Sequence, residues 1–303
     1  MELAHTEKKA PFSDNILKGW RAGLFACLGL AVFSALFVSR VMPHGPATAV
    51  QAIIVMLLCL AVGIGAAFLF RSRWVTLLVP AVHIITLEIM WLNVAGPTVG
   101  AWRFDNTYGV LAFILGRGFY ALVGLFPMFL GIQIVRAWLS SPARWTMPII
   151  LSIFFIALVV LISLPASTPP ILGPDGKSLP GSIAELTTVK IGGHEQAILI
   201  RGHSVHKPII LYLSGGPGQS SLPHPRVIFK DMEKDFIMVA WDQRGTGKSY
   251  AALDPTSTLT IDQAVSDTIE LTNYLRKRFG EDKIYLLGES WGTTLGVLAV
   301  QRE

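Results

Sequence analysis

One serine carries the strongest chemical signal in this chain. The pentapeptide Gly-Glu-Ser-Trp-Gly at residues 288–292 matches the Gly-x-Ser-x-Gly pattern, in which a tight strand-to-helix turn holds a serine hydroxyl clear of the sheet. A short apolar run at 283–287 precedes it, and an apolar segment of helical character at 293–300 follows it. Strand, turn and helix are the context that the pattern requires. Ser290 is therefore the candidate nucleophile for acyl transfer.

The chemistry of a serine nucleophile sets further requirements. The hydroxyl needs a histidine that takes its proton and an acidic residue that orients this histidine. The negative oxygen formed by attack on a carbonyl needs fixed hydrogen-bond donors, each worth about 3–4 kcal/mol. The backbone N–H of Trp291 is one candidate. The other lies in the pair Gly215-Gly216 and is assigned to Gly216, because glycine lets the backbone approach a substrate without an intervening side chain.

Strands and helices in the C-terminal half must hold these residues in place. The expected elements are an antiparallel hairpin of Ile183–Ile191 and His194–Ile200, apolar strands at 208–213 and 236–241, and a helix between Thr260 and Gly280. After the hairpin, strands alternate with helices along the chain. This alternation predicts an α/β fold with a doubly wound, mostly parallel sheet and an antiparallel leading edge.

Three motifs stand in one order along this half. They are Ser-Gly-Gly-Pro-Gly at 214–218, Asp-Gln-Arg-Gly-Thr-Gly-Lys-Ser at 242–249 and Gly-Glu-Ser-Trp-Gly-Thr at 288–293. Together they resemble the proline iminopeptidase family of α/β-hydrolases over residues 183–302. The resemblance implies a serine hydrolase that releases an N-terminal residue, with proline as one candidate, from small peptides through an acyl-enzyme. Ser214 replaces the family's usual histidine, which should matter little because the loop works through backbone N–H groups.

The order of the catalytic residues limits what this chain can do. In this fold the serine precedes the acid and the histidine. The histidines of this half all precede Ser290, and are His194, His203, His206 and His224. We therefore expect an incomplete hydrolase domain, from a truncated or split gene or from a longer enzyme, that is inefficient by itself and that a second polypeptide could complete. Asp242 and Arg244 are interpreted as braces of their turn rather than as catalytic residues.

The N-terminal half has the composition of a membrane protein. The 303-residue chain is 52% hydrophobic and only 15% charged, against about 25% charged in soluble proteins. Five apolar stretches have the length, about 18–25 residues, that a bilayer requires. They are Trp20–Val41, Ala47–Phe70, Trp74–Ala95, Gly118–Val135 and Trp145–Leu164. The fourth is the least well defined, because residues 108–115 are also apolar and Arg117 interrupts the run.

Basic residues in the short loops predict the orientation of these spans. The tail and every second loop carry Lys8, Lys9, Lys18, Arg21, Arg71, Arg73, Arg136 and Arg144. The alternate loops carry Arg40 and Arg103, with Arg117 at a segment edge. This distribution places the N-terminus in the cytoplasm of a multi-pass cell-membrane protein. Five crossings then place the hydrolase portion outside the cytoplasm, whereas four or six crossings would reverse its side.

Three ionisable residues, His83, Glu88 and Arg117, lie in or beside the predicted spans. Charge within a membrane is costly, and it indicates either a path for protons or substrates or an ion pair that fixes helix packing. Glu88 and Arg117 fall at similar depths in consecutive segments, so we expect a structural pair. His83 is five residues from Glu88, so the two are not expected on one helical face.

These observations define the expected domains and partners. The domains are a cytoplasmic tail at 1–17, a multipass α-helical membrane domain at 18–165, a Pro/Gly-rich exposed linker at 166–181, and the N-terminal part of an α/β-hydrolase domain at 182–303. Up to residue 165 the chain has 11 Lys and Arg against 5 Asp and Glu, so the basic excess belongs to the membrane half. A lipid bilayer is therefore the expected partner, and nucleic acid is not. Cys27 and Cys59 lie inside apolar runs, and no metal or cofactor is expected.

Two alternative functions remain open. The same fold could act on an ester or a lipid, because one fold hosts many chemistries. The hydrolase portion could instead be a non-catalytic binding module of a multipass membrane protein. Acidic residues in a cap that bind an amino group would favour the peptidase. An adjacent reading frame that supplies the missing Asp and His would argue against the non-catalytic module.

Overall fold

The computed structural model describes residues 11–94, 102, 104–253 and 256–303. These residues form two compact units, with the boundary between Leu164 and Pro165. Some sequence predictions lie outside the described residues. They concern the first ten residues of the tail, Ala95 at the end of the third expected span, and Arg103 in a loop.

Apolar helices make up the first unit. They are α1 (Pro11–Val41), α2 (Ala49–Leu69), α3 (Val75–Trp91), α4 (Thr107–Tyr120), α5 (Phe126–Trp138) and α6 (Thr146–Ser163). A π-helical turn, Ala121–Leu125, joins α4 to α5, and a 3-10 turn, Pro142–Trp145, leads into α6. Thr48 begins α2 with a capping box, in which its hydroxyl accepts from the Gln51 N–H and the Gln51 side chain accepts from the Thr48 N–H.

Four segments in the described part of the chain are long and apolar enough to cross a membrane. They are Gly19–Val41, Ala49–Leu69, Gly109–Trp138 and Pro142–Ser163, whereas the apolar helix α3 is shorter, with 17 residues. The fourth expected span, Gly118–Val135, was therefore too short at both ends. Arg117 lies within this segment, and its charge is paired with a carboxylate.

The predicted pair between Glu88 and Arg117 is confirmed. The guanidinium donates from Nη2 to Oε2 of Glu88 at 2.6 Å and from Nε to Oε1 at 2.8 Å. Both side chains are about four-fifths buried. The guanidinium carbon also lies 4.2 Å from the ring centre of Phe113. This two-point contact ties α3 to α4, and the aromatic face further stabilises the cation.

Two glycines allow α2 and α5 to pack backbone to backbone. A Cβ on Gly63 of α2 would lie 2.0 Å from the Met128 carbonyl oxygen, and a Cβ on Gly131 of α5 would lie 2.4 Å from that of Leu60. Any larger residue at either position would push the helices apart. Small residues at helix contacts are typical of bundles in membranes, because they let the helix backbones approach closely.

The second unit is built on a five-stranded sheet. The strands are β1 (Ile183–Ile191), β2 (His194–Gly202), β3 (Ile209–Leu213), β4 (Ile237–Trp241) and β5 (Tyr285–Gly288). The α-helices are α7 (His224–Val227), α8 (Ile261–Phe279) and α9 (Trp291–Arg302), with 3-10 turns at Met232–Lys234, Gly247–Leu253 and Thr256–Thr258. The predicted hairpin is confirmed, since β1 and β2 pair antiparallel through the turn at Gly192-Gly193.

The sheet is mixed, with the antiparallel leading edge that was predicted and with β2 as the strand that runs opposite to the other four. Its strand order is β1-β2-β4-β3-β5. β3 pairs in parallel with β4 and with β5, but β2 is antiparallel both to β1 and to β4. The hairpin thus docks by its second strand against β4, which makes half of the described pairings antiparallel.

The two faces of the sheet are covered unequally. Every second residue of β3, including Leu211 and Leu213, packs with Leu271 of α8 and Leu295 of α9. Within the described residues, the opposite face carries Leu222 and the one-turn helix α7 rather than a full helical layer, so a doubly wound sheet is not established. The predicted helix is α8, capped by the Thr260 hydroxyl and ended by Gly280 at φ +71°.

Residues 166–181, expected as an exposed linker, are mostly exposed but are anchored to the second unit at two points. Ile171 is buried. Arg201 donates from Nη1 to the Thr168 hydroxyl and to the Pro169 carbonyl, each at 2.7 Å, while its Nε donates to Glu233 at 2.7 Å. The Arg201–Glu233 pair is itself buried, and a buried guanidinium needs an acceptor for each of its N–H groups. The segment supplies two of these acceptors and is held in place by them.

Candidate active site

The elbow, defined as residues 288–292, places Ser290 in a strained backbone conformation. Ser290 has φ +49° and ψ −117°, and among the described residues it alone combines a side chain with a positive φ. Such conformations cost about 1–3 kcal/mol and persist only where the surroundings enforce them. Here the surroundings are backbone atoms packed closely against two glycines, Gly288 and Gly292. A Cβ on Gly288 would lie 2.6 Å from the Gly292 carbonyl oxygen, and a Cβ on Gly292 would lie 1.9 Å from that of Leu213.

The glycine loop, defined as residues 214–218, lies against the elbow. Because β3 and β5 pair in parallel with Leu213 opposite Gly288, the residues after each strand emerge side by side. The N–H of Glu289 donates to the Leu213 carbonyl at 3.1 Å. A Cβ on Gly215 would stand 3.2 Å from Cβ of Ser290, a tighter contact than side chains ordinarily make. The structure therefore brings Gly215 and the serine together, as glycine at this position allows.

The two proposed oxyanion donors flank this contact. Gly216 follows Gly215 and has φ +116°, where a Cβ would also lie 2.7 Å from the Gly218 nitrogen. Trp291 is the first residue of α9, so its N–H belongs to the group of helix-start donors that have no acceptor within the helix. The partial positive charge of a helix N-terminus favours negative charge at this place. The oxyanion role of the N–H groups of Gly216 and Trp291 stays a prediction.

Gln243 connects the glycine loop to the elbow, a role that the sequence did not reveal. Its Nε2 donates to the carbonyl and to the hydroxyl of Ser214, at 3.2 and 3.3 Å. Its Oε1 accepts the indole N–H of Trp291 at 3.2 Å. The side chain is 93% buried, so these bonds are protected from water. Gln243 comes just after β4, which pairs in parallel with β3. This position at the carboxyl end of a parallel strand could have indicated its role from the sequence.

Asp242 is a brace of its turn, in agreement with the prediction. Its Oδ1 accepts from the Ser220 hydroxyl at 2.6 Å and its Oδ2 accepts from the Lys248 N–H at 2.8 Å. The side chain is fully buried. Burial raises the pKa of Asp242, while these two hydrogen bonds oppose that rise. The carboxylate thereby fastens the turn after β4 to the segment after the glycine loop.

Arg244 is also a brace, and every N–H of its guanidinium group has an acceptor. Nε and Nη2 donate to the carboxylate of Asp267 at 2.9 and 3.1 Å. Nη2 also donates to the Gly192 carbonyl, and Nη1 donates to the Ala252 carbonyl and the Thr258 hydroxyl. The side chains of both ion-pair partners are at least 96% buried. The cation thus joins the hairpin turn, the turn after β4 and α8.

Asp267 receives donors from three side chains. Besides Arg244, Gln196 donates to Oδ2 at 3.1 Å and Gln263 donates to Oδ1 at 2.7 Å. Gly192 closes over the pair, because a Cβ there would lie 2.2 Å from both the Arg244 Nη2 and the Asp267 Oδ1. A carboxylate so fully satisfied can remain charged in the interior.

Glu289, just before the nucleophile, is tied to the sheet beneath. Its carboxylate accepts the phenolic O–H of Tyr212, a buried residue of β3. Burial raises the pKa of Tyr212 well above its ordinary value, and the hydrogen bond to Glu289 adds to the rise. On the same side, the ring of His224 lies 5.4 Å from that of Tyr212. The Tyr212–Glu289 bond holds the residue that leads into the strained turn.

Comparison with known proteins supports the fold assignment. Residues 208–303 match the family described as alpha/beta hydrolase fold. The probable aminopeptidase YbaC of Bacillus subtilis is 38% identical over 121 residues, which are 40% of this chain and 38% of that protein. A proline iminopeptidase of Clostridioides difficile is 38% identical over 86 residues, which are 28% of this chain and 27% of that protein.

A solved structure also aligns with part of this chain. A proline iminopeptidase-related protein from Thermus thermophilus aligns with a TM-score of 0.35 and 27% identity, over 40% of this chain and 41% of that chain. The chain spans 38% of the length of the Bacillus aminopeptidase. The match lies in the second unit and includes β3, β4, β5 and the elbow. Residues 208–303 thus resemble part of an α/β-hydrolase domain.

Proposed function

We propose that the second unit is the nucleophile-bearing part of a serine hydrolase that releases N-terminal residues, with proline as one candidate, from small peptides. The observation that carries this proposal is Ser290, held at φ +49° between two glycines that tolerate no Cβ, with Gly215 against it. The aminopeptidase and proline iminopeptidase names of the relatives support the substrate class. Their matched regions are short, so the substrate belongs to the proposal.

In the proposed reaction, the Ser290 hydroxyl attacks the carbonyl carbon of the residue at the peptide N-terminus. The N–H groups of Trp291 and Gly216 stabilise the oxyanion, and collapse of this intermediate releases the shortened peptide and leaves an acyl-serine. Water then hydrolyses the ester. A histidine must take the serine proton and deliver it to the leaving amine. We propose that this histidine and its acid lie outside residues 1–303.

Labelling with a fluorophosphonate, which reacts with activated serines, tests this assignment. In membranes from cells that express the chain with its neighbouring genes, we expect stoichiometric labelling of Ser290. Removal of a triad base lowers the rate by about 10³-fold or more, so the purified chain should be labelled at least that much more slowly. The matched control is Ser290→Ala, which should abolish labelling.

Each outcome bears on a different part of the proposal. Labelling that persists in Ser290→Ala, or that is absent from Ser290 in membranes, would refute the nucleophile. Rapid stoichiometric labelling of the purified chain would instead refute a catalytic base that lies outside residues 1–303. Release of proline from a proline-terminated peptide, compared with hydrolysis of a matched ester, separates peptidase from esterase activity.

We further propose that the first unit crosses the cell membrane five times, with the N-terminus in the cytoplasm and the second unit outside it. The 17 residues of α3 are at the lower limit of the length that spans a bilayer. The flanking Trp74 and the positions of the loop arginines support a crossing at α3.

Cysteine labelling in intact cells tests this topology. Cys27 and Cys59 are buried, so single cysteines introduced at exposed positions can be followed separately. Ser178→Cys in the second unit should react with a membrane-impermeant maleimide. Ser141→Cys, in the loop between α5 and α6, should react only after the cells are made permeable. The reverse pattern would contradict the proposed orientation.

A further inference from the structure

The first unit encloses a cavity of about 150 Å³. Five helical segments contribute to its wall, which is mostly apolar: Val38 of α1, Val55 of α2, His83, Leu87 and Glu88 of α3, Arg117 and Tyr120 of α4, and Gly124 and Leu125 of the π-helical turn. His83 and Glu88 line the same cavity although they are five residues apart on α3. The volume is comparable to that of apolar cavities that take up a benzene-sized molecule.

His83 gives this apolar cavity one directed polar group. The residue is 98% buried. The Ser34 hydroxyl donates to the Ala31 carbonyl at 2.9 Å, and its oxygen lies 2.8 Å from Nδ1 of His83. We assign the proton of this contact to Nδ1, because the Ser34 hydroxyl proton is directed at the Ala31 carbonyl. Nε2 of the neutral ring is then an acceptor, and it makes no hydrogen bond to any described residue.

The π-helical turn widens the wall at the cavity. The Phe126 N–H bonds to the Ala121 carbonyl, five residues back, and Ala121, Gly124 and Leu125 all line the cavity. Such turns occur frequently at functional sites. A Cβ on Gly124 would lie 3.8 Å from Cys59 Sγ, an ordinary contact, so close packing does not require glycine here. Glycine at this position instead leaves room beside the cavity.

From these observations we infer that the first unit binds a small, mainly apolar molecule that carries one hydroxyl or N–H group. The apolar body fills the cavity between α1, α2, α3 and the π-helical turn. Its single donor binds Nε2 of His83. The Glu88–Arg117 pair satisfies its own charges, so the ligand is neutral. This site is separate in sequence from Ser290 and does not depend on the proposed hydrolase activity.

Phenol and toluene form a matched pair of probes, since they have the same shape and only phenol has a donor. We expect the full chain in lipid nanodiscs to bind one phenol saturably in equilibrium dialysis, after subtraction of empty nanodiscs. Toluene should bind up to about 10-fold more weakly, as the loss of one hydrogen bond implies. His83→Leu should retain toluene binding and lose the preference for phenol.

Two glycine variants separate the cavity from the surrounding lipid. Gly124→Leu should fill the cavity and remove saturable binding of both probes. Gly118→Leu, on α4 where no atom lies within 4 Å of a Cβ, should leave binding unchanged. If Gly124→Leu does not fold, the His83→Leu comparison still decides the donor site. Absence of saturable binding, an unchanged phenol preference in His83→Leu, or a lipid chain that co-purifies stoichiometrically and is lost only in Gly124→Leu would each overturn the inference.

Discussion

Replacement of Asp267 by alanine is expected to lower the free energy of unfolding of the second unit by about 3–5 kcal/mol. The stability is lost because Arg244 keeps its charge without its ion-pair partner, in a site where it is only 5% exposed. Gln196 and Gln263 also lose an acceptor. Amide hydrogen exchange of β3 and β4, in the full chain in mild detergent, measures the effect, since core amides exchange through global opening.

Two further variants sharpen this test. Asp267→Asn keeps the shape but turns an amide N–H₂ toward groups that all donate, so it should cost nearly as much as alanine. Asp262→Ala on the same helix removes the exposed partner of Arg302 and should cost no more than about 1 kcal/mol. Equal, small effects of Asp262→Ala and Asp267→Ala would show that the buried network does not stabilise the unit.

Replacement of Gly292 by alanine is expected to disrupt the elbow and to cost about 3 kcal/mol or more, the upper range for overpacking. The added Cβ would lie 1.9 Å from the carbonyl oxygen and 2.5 Å from the carbonyl carbon of Leu213. These are backbone atoms of β3, which is hydrogen-bonded to β4 on one side and to β5 on the other. Leu213 therefore cannot move away from the added Cβ without breaking the sheet. Loss of exchange protection in β3 and β5 measures the damage.

Gly296→Ala is the matched control, one helical turn further along α9. Its Cβ would meet only the flexible end of the same Leu213 side chain, at 3.4 Å. Alanine is favoured over glycine within a helix by about 0.5–1 kcal/mol, which offsets this mild crowding. Stability within about 1 kcal/mol of the unchanged protein is therefore expected. Similar losses in both variants would mean that α9 tolerates no added volume at all, contrary to the geometry of the elbow.

Much of the second unit could be predicted from sequence because the signals are local. The hairpin was predicted from alternation and its two glycines, and β1 and β2 have the expected bounds at that turn. Helix α8 was predicted from Thr260, Gly280 and the apolar spacing between them. The elbow was predicted from glycines whose absent side chains the structure now explains.

The remaining features depend on contacts between distant segments. Asp267 lies on α8 next to the apolar stripe, and nothing in its spacing identifies Arg244 or Gln196 as its partners. Gln243 lies within a motif, but its role requires the side-by-side positions of β3, β4 and β5. The antiparallel pairing of β2 with β4 joins residues about 40 positions apart. Local patterns do not encode such pairings.

The π-helical turn also sets the rotational phase of the long helix that contains it. One inserted residue rotates everything after it by about 100° relative to an uninterrupted α-helix. Arg117 and Gly131, fourteen residues apart, would otherwise lie within about 40° of each other around the axis. With the insertion, Arg117 can reach Glu88 on α3 while Gly131 faces α2. One irregular turn thus lets a single helix present two differently directed contact surfaces.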